Sequence, residues 1–171
     1  MSKRELKKYL KELNKEQLED QILDLYNRFK EVKEFYDFAF NPRENELMEQ
    51  CRFQISNEYY PVKRRKARMR RSVAQKWIRK LLLLDADVSL VADVMLFNIE
   101  IAQSFASEHI IRQDSFFSSM YKSFDEALKF VSERGILNEF RGRIQKIAAD
   151  AFDQKWPNRN AFEDLSDLYL H

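Results

Sequence analysis

Residues 61–80, PVKRRKARMRRSVAQKWIRK, hold ten Lys or Arg and no Asp or Glu. Guanidinium groups present planar pairs of donors that match phosphate and carboxylate oxygens, and lysine adds point charges. Such a block suits the capture of a polyanion. Read as one helix over 64–80, it sets Arg65, Arg68, Ser72, Lys76 and Arg79 on one stripe, with Arg64 and Arg71 flanking it and Trp77, Ile78 and Leu81 facing inward. The residues expected to hold phosphates are Arg64, Arg65, Arg68, Arg70, Arg71, Lys76 and Arg79. Tyr59 and Tyr60, immediately upstream, would offer stacking surfaces to the bases of a single strand. Binding of this kind depends steeply on salt, with about 0.7–0.9 counterions released per neutralised phosphate.

The charge is concentrated there. Residues 1–60 carry 11 basic and 13 acidic side chains, and residues 81–171 carry nine and 15, so a net charge of +2 conceals a strong internal asymmetry. A local field of one sign attracts polyanions or acidic partners. Rival readings follow from the same numbers. The arginines would serve as a strut against carboxylates of the same chain, as a dimer contact, as a dock for an acidic protein, or as a basic face lying on an anionic membrane. The pI of about 8.6 is below that of a dedicated nucleic-acid domain.

Other chemistry is sparse. Two histidines, His109 and His171, and one cysteine, Cys51, provide no clustered metal ligands, and two glycines cannot build a phosphate-cradling loop. No metal, no cofactor and no catalytic residue is therefore expected, and the chain reads as a non-enzymatic binding module. Cys51 reads as a core residue of an amphipathic helix, and a lone cysteine fits a reducing cytoplasm. His109 falls near a helix C-terminus, where an imidazolium complements the dipole. Ser89, Asp93, Glu100, Gln103 and Ser107 form one polar stripe. It reads either as the outer face of a half-buried helix or as a carboxylate pair facing a cleft, toward the basic segment. Asn98 falls on the opposite, apolar side and needs a partner if buried.

The elements that position these residues are helical. Two Gly and three Pro in 171 residues argue for long helices with short links and against sheets with tight turns. Ser2 and Glu5 have capping-box spacing, and Leu6, Leu10 and Leu13 form an apolar stripe. Asn14 caps a second helix with Leu18, Ile22, Leu25, Phe29, Val32 and Tyr36 along one side, so that the two read as a hairpin. Asn41-Pro42 breaks the chain, with Pro42 suited to the first turn of a helix that ends at Pro61. Ser72 and Gln75 offer another capping box. Asp87 caps a central helix over 88–108, followed by helices over 114–134, with Gly135 as a left-handed cap, over 137–156 and over 160–169. Val88–Ala106 is the most apolar stretch, but Asp93, Asn98 and Glu100 interrupt it, which suits a buried helix better than a membrane span. The N-terminus lacks the apolar segment of a secretory signal. The expectation is an all-α fold of eight or nine helices, arranged as antiparallel hairpins in a bundle or an irregular α-solenoid, in a single domain over 1–171.

With SKRELKKYLKEL, LYNRFKEVKEFYDFAFNP, RRKARMRRSVAQK and ADVMLFNIEIAQSF in view, the chain resembles a bacterial family of small all-helical proteins known only as a domain of unknown function. The shared positions would be Asn41, Pro42, Arg70, Arg71, Ser72, Gln75, Lys76 and Glu100. Toward the C-terminus, Gln154-Lys155-Trp156-Pro157 stands where the family pattern would have a Gly-Trp segment. The resemblance implies a small cytoplasmic protein and supplies no activity. The leading functional expectation is nucleic-acid or polyanion binding through the basic segment. The alternative is a protein-interaction or scaffold domain in which that segment is structural or dimerising.

Overall fold

A computed structural model describes residues 2–62 and 65–170. Among these residues the chain forms nine α-helices and no strand, as an all-α reading requires. It divides into two compact units, Met1–Arg43 and Glu44–His171.

The first unit holds α1 (Lys3–Glu12), α2 (Lys15–Arg28) and α3 (Lys30–Phe40). Both expected N-caps form. Ser2 Oγ accepts from Glu5 N while Glu5 Oε2 accepts from Ser2 N at 2.6 Å, and Asn14 and Gln17 repeat the pattern. One expectation fails. The stripe from Leu18 to Tyr36 is not one helix, because Phe29 adopts an extended conformation (φ −117°, ψ 117°) between α2 and α3. The two helices then pack about this bend, with Tyr26 Oη donating to Asp37 Oδ1 at 2.8 Å and the Tyr26 and Tyr36 rings 6.4 Å apart. None of the described residues of this unit is fully buried.

The second unit holds α4 (Glu44–Tyr59), α5 (Arg71–Leu83), α6 (Val88–Glu108), α7 (Asp114–Glu133), α8 (Leu137–Asp153) and α9 (Arg159–Leu170). Helix α6 is apolar around most of its circumference and therefore occupies the centre. It packs against α4, α5, α7 and α8, with α9 closing over α7 and α8. The helices pair in succession, α4 with α5, α6 with α7 and α8 with α9, and α6 contacts both the pair before it and the pair after it, as in stacked helix pairs. Val91, Val94, Leu96, Ile99 and Ala102 are fully enclosed, meeting Phe124, Leu128 and Ile144 in the same core. By length and composition α6 would cross a membrane, but 56% of its apolar window is buried among the other helices, as in a core helix.

Caps and breaks decide the boundaries. Asp87 Oδ1 accepts from Ser89 N at 2.8 Å, and Gly135 takes φ +71° just past α7, both as expected. Helix α4 begins at Glu44, so Pro42 precedes the first turn, and α8 stops three residues before Trp156. The largest departure is at the basic block. Residues 65–70 are not helical, Met69 has φ +51°, and α5 starts only at Arg71. The single helix over 64–80 is not formed. Arg70 occupies the N-cap position without a side-chain cap bond, so the Ser72–Gln75 capping box is not formed either.

Truncating Leu96 at the centre of α6 leaves a cavity that rigid neighbours on several sides cannot close. Leu96→Ala is expected to cost about 2–5 kcal/mol of unfolding free energy, checked by urea denaturation.

Candidate functional site

The basic segment is tied down by an acidic residue that lies just outside it. Glu58, in the last turn of α4, is buried. Its backbone carbonyl accepts from Arg68 N at 2.9 Å and Met69 N at 3.1 Å. Its carboxylate takes Arg70 Nε on Oε2 at 2.9 Å and Arg70 Nη2 on Oε1 at 2.7 Å, with Arg70 N also donating to Oε2 at 3.3 Å. This is a forked guanidinium–carboxylate pair with the backbone fastened beneath it. A carboxylate at a helix C-terminus and a guanidinium at a helix N-terminus each oppose the helix dipole. Here the two misplaced charges meet and satisfy one another. Hydrogen bonds from Arg70 hold the Glu58 carboxyl below the usual carboxylate range, against burial, which works the other way.

Arg71 is the second anchor. Its Nε donates to Ser123 Oγ at 2.9 Å and its Nη2 pairs with Glu126, both on α7. With its amide oxygen turned inward, Gln75 also accepts from this guanidinium. Arg71 has a side chain only 18% exposed and is committed to the fold. Arg65, Lys66, Arg68, Lys76 and Arg79 are exposed. Arg79 Nε donates to Gln75 O at 3.2 Å, and an open groove of about 340 Å³ lined by Gln75, Ile78, Arg79 and Glu126 runs beside α5. Arg64 lies outside the described residues, as does His171.

The two tyrosines part company. Tyr59 is 2% exposed, its ring packed 5.9 Å from Phe105 and its hydroxyl 3.9 Å from Met120 Sδ. Its faces are covered by core, so the expected stacking role does not fit it. Tyr60 keeps 38% of its surface, with its ring edge-on to Phe105.

The polar stripe of α6 is half-buried at Ser89, Asp93 and Glu100 and faces α8. Ser89 Oγ donates to Glu139 Oε2 at 3.0 Å, and Gln103 Nε2 donates to Ile147 O at 2.7 Å. Between them, Arg143 bridges both carboxylates. Its Nη1 reaches Asp93 Oδ1 at 2.7 Å, and its Nε and Nη2 reach Glu100 Oε1 and Oε2, each at 2.8 Å. Arg52 of α4 takes the other oxygen of Asp93 at 2.7 Å. Burial alone would pull the Arg143 guanidinium down, but Glu100 and Asp93 more than reverse it, and the net shift is upward. Only Ser107 leaves this seam, capping back onto Ser104 O. Asn98 is buried and donates weakly to Ser123 Oγ at 3.5 Å, so Ser123 links the core to the Arg71 anchor.

Cys51 is fully buried, and burial pushes its thiol up to about 12, so it is an apolar core atom rather than a nucleophile. His109 stacks on Phe105 at 4.1 Å, with Nδ1 3.1 Å from Phe105 O. Among the described residues no three His, Cys, Asp or Glu side chains gather where they would hold a metal ion.

Neither anchor nor seam stands out from sequence spacing alone, yet each leaves a trace. Glu58 is an acid in a helix-terminal turn where the dipole disfavours it. Glu139, Arg143 and Ile147 recur every four residues, in step with the stripe on α6.

Two substitutions test these pairings. Arg143→Met strands Glu100 and leaves Asp93 to Arg52 alone in a half-buried seam, and is expected to cost about 1–3 kcal/mol, read as a lower urea midpoint. The Glu58 carboxyl has a folded-state pKa below its unfolded value. Its stabilising effect is therefore complete above about pH 4.3 and is lost as the pH falls through the folded value. Glu58→Gln should lower Tm by a few degrees at pH 7, and its Tm should fall less than that of the unsubstituted protein as the pH drops below 5.

Neither curated proteins nor solved structures give a match to the chain. A family of unknown function (DUF6155) matches residues 1–169, nearly the whole sequence, and the chain belongs to that family.

Proposed function

We propose that the protein is a cytoplasmic, non-enzymatic binding module whose ligand is a polyanion, in the first place a nucleic acid. One observation carries this reading. The basic segment is anchored through Arg70 and Arg71, while Arg65, Lys66, Arg68, Lys76 and Arg79 remain exposed on and beside a turn of fixed shape. Cations held on a tethered backbone lose less freedom when a phosphate chain docks than cations on a flexible tail. Exposed Tyr60, near the start of the segment, supplies an aromatic edge and part of one face for an unpaired base.

The structural reading of the block is favoured for Arg70 and Arg71. These two are bonded to Glu58, Ser123 and Glu126, so they act as struts that shape the surface rather than as its phosphate contacts.

Fluorescence anisotropy with single- and double-stranded oligonucleotides at about 50 and 200 mM salt tests the proposal. Binding at low salt should weaken at least about tenfold in Arg68→Gln/Lys76→Gln/Arg79→Gln. The slope of log affinity against log salt should fall by roughly two to three, with Tm unchanged. Arg71→Gln, in contrast, should lower Tm. Absence of binding to either oligonucleotide at low salt would reject the nucleic-acid reading.

A further inference from the structure

The N-terminal unit poses a separate problem. Its three helices bury no described residue completely, and Leu6, Tyr9, Ile22, Leu25, Phe29 and Phe40 are all exposed. About forty residues are too few to enclose a core without help from disulfides, metals or association. Apolar faces repeated along well-capped helices are the pattern of an element that completes its core against another surface.

Charge identifies the surface. Helix α1 carries Lys3, Arg4, Lys7, Lys8 and Lys11 against Glu5 and Glu12, a net +3. Helices α2 and α3 together carry four basic and seven acidic residues, a net −3. Within the acidic pair, Lys15, Arg28 and Lys30 are already matched to Glu19, Asp24 and Glu34 four residues away on their own helices. Glu16 and Asp20, exposed on α2, have no ion pair among the described residues, and neither do the five cations of α1. A two-fold symmetric contact presents the same patch twice. It would set α1 of one copy against α2 and α3 of the other, and the reverse, matching +3 to −3 on both sides.

We propose that Met1–Arg43 is a self-association element through which two copies of this chain pair, α1 of each against α2–α3 of its partner. The occupant of the exposed apolar faces is a second copy, selected by this charge match.

Sedimentation equilibrium of the full chain from about 1 to 100 µM tests it, at about 50 and 500 mM salt. The expected result is a species of twice 20.7 kDa that dissociates more readily at the higher salt. Lys7→Glu/Lys8→Glu sets acid against acid, and Glu16→Lys/Asp20→Lys sets base against base. Each should weaken pairing at least about tenfold, and an equimolar mixture of the two should restore it, since both mixed interfaces regain opposite signs. Unchanged melting and helical content of the full chain by circular dichroism show that the variants remain folded. Should either charge reversal lower that melting, Leu6→Gln/Leu10→Gln replaces it as the variant expected to dissociate the dimer. A chain that stays monomeric throughout overturns the proposal. So does a dimer indifferent to all three variants. Binding of a monomeric chain to anionic vesicles through Lys7 and Lys8 overturns it in favour of a membrane surface.

Discussion

Burial of α6 is the constraint from which the second unit follows. A helix apolar on nearly all sides must be surrounded, and four other helices do so. Most of its polar groups therefore find partners, because an unsatisfied group in the interior costs more than a hydrogen bond contributes, although Gln103 Oε1 is buried without one among the described residues. Arg143 answers for Asp93 and Glu100, Ile147 O for Gln103, and Glu139 for Ser89. The register between α6 and α8 is thus set by polar matching inside an otherwise apolar core. Sliding α8 by one turn would break every member of the set.

The basic segment inherits its shape from the same packing. Glu58 reaches it from α4, and Ser123 and Glu126 reach it from α7, and both helices are placed by packing on α6. Between these two points of attachment, Met69 adopts a left-handed conformation that a non-glycine residue accepts only when its surroundings compensate. Two backbone bonds to the Glu58 carbonyl and a forked salt bridge on its carboxylate provide that compensation. Glu58, together with Ser123 and Glu126 on Arg71, converts a block of mutual repulsion into a turn with defined outward charges.

Much of the architecture was legible beforehand, for local reasons. Ser2, Asn14 and Asp87 cap helices because their oxygens reach backbone donors two or three residues on. Gly135 ends α7 because it tolerates positive φ. The basic block was harder to read. Its i, i+3, i+7 spacing is compatible with a helix, but close-set arginines at a helix N-terminus repel one another and oppose the dipole, and the chain stays non-helical to Arg70. Phe29 fits the apolar stripe on both sides of it, so periodicity gives no warning of the bend between α2 and α3.

The sequence by itself determined the helical class, most of the caps and the location of the charge, because these depend on neighbours within a turn or two. Only tertiary structure decided which of those charges face outward. Glu58 and Arg70 lie 12 residues apart, Arg71 and Ser123 lie 52 apart, and Asp93 and Arg143 lie 50 apart. No local pattern records pairs of that separation. They exist because packing around α6 brings distant helices within hydrogen-bond reach, and an ion pair persists only where both partners are held. Among the described residues, a block read as one stripe of cations became two anchors, Arg70 and Arg71, and the exposed Arg65, Lys66, Arg68, Lys76 and Arg79.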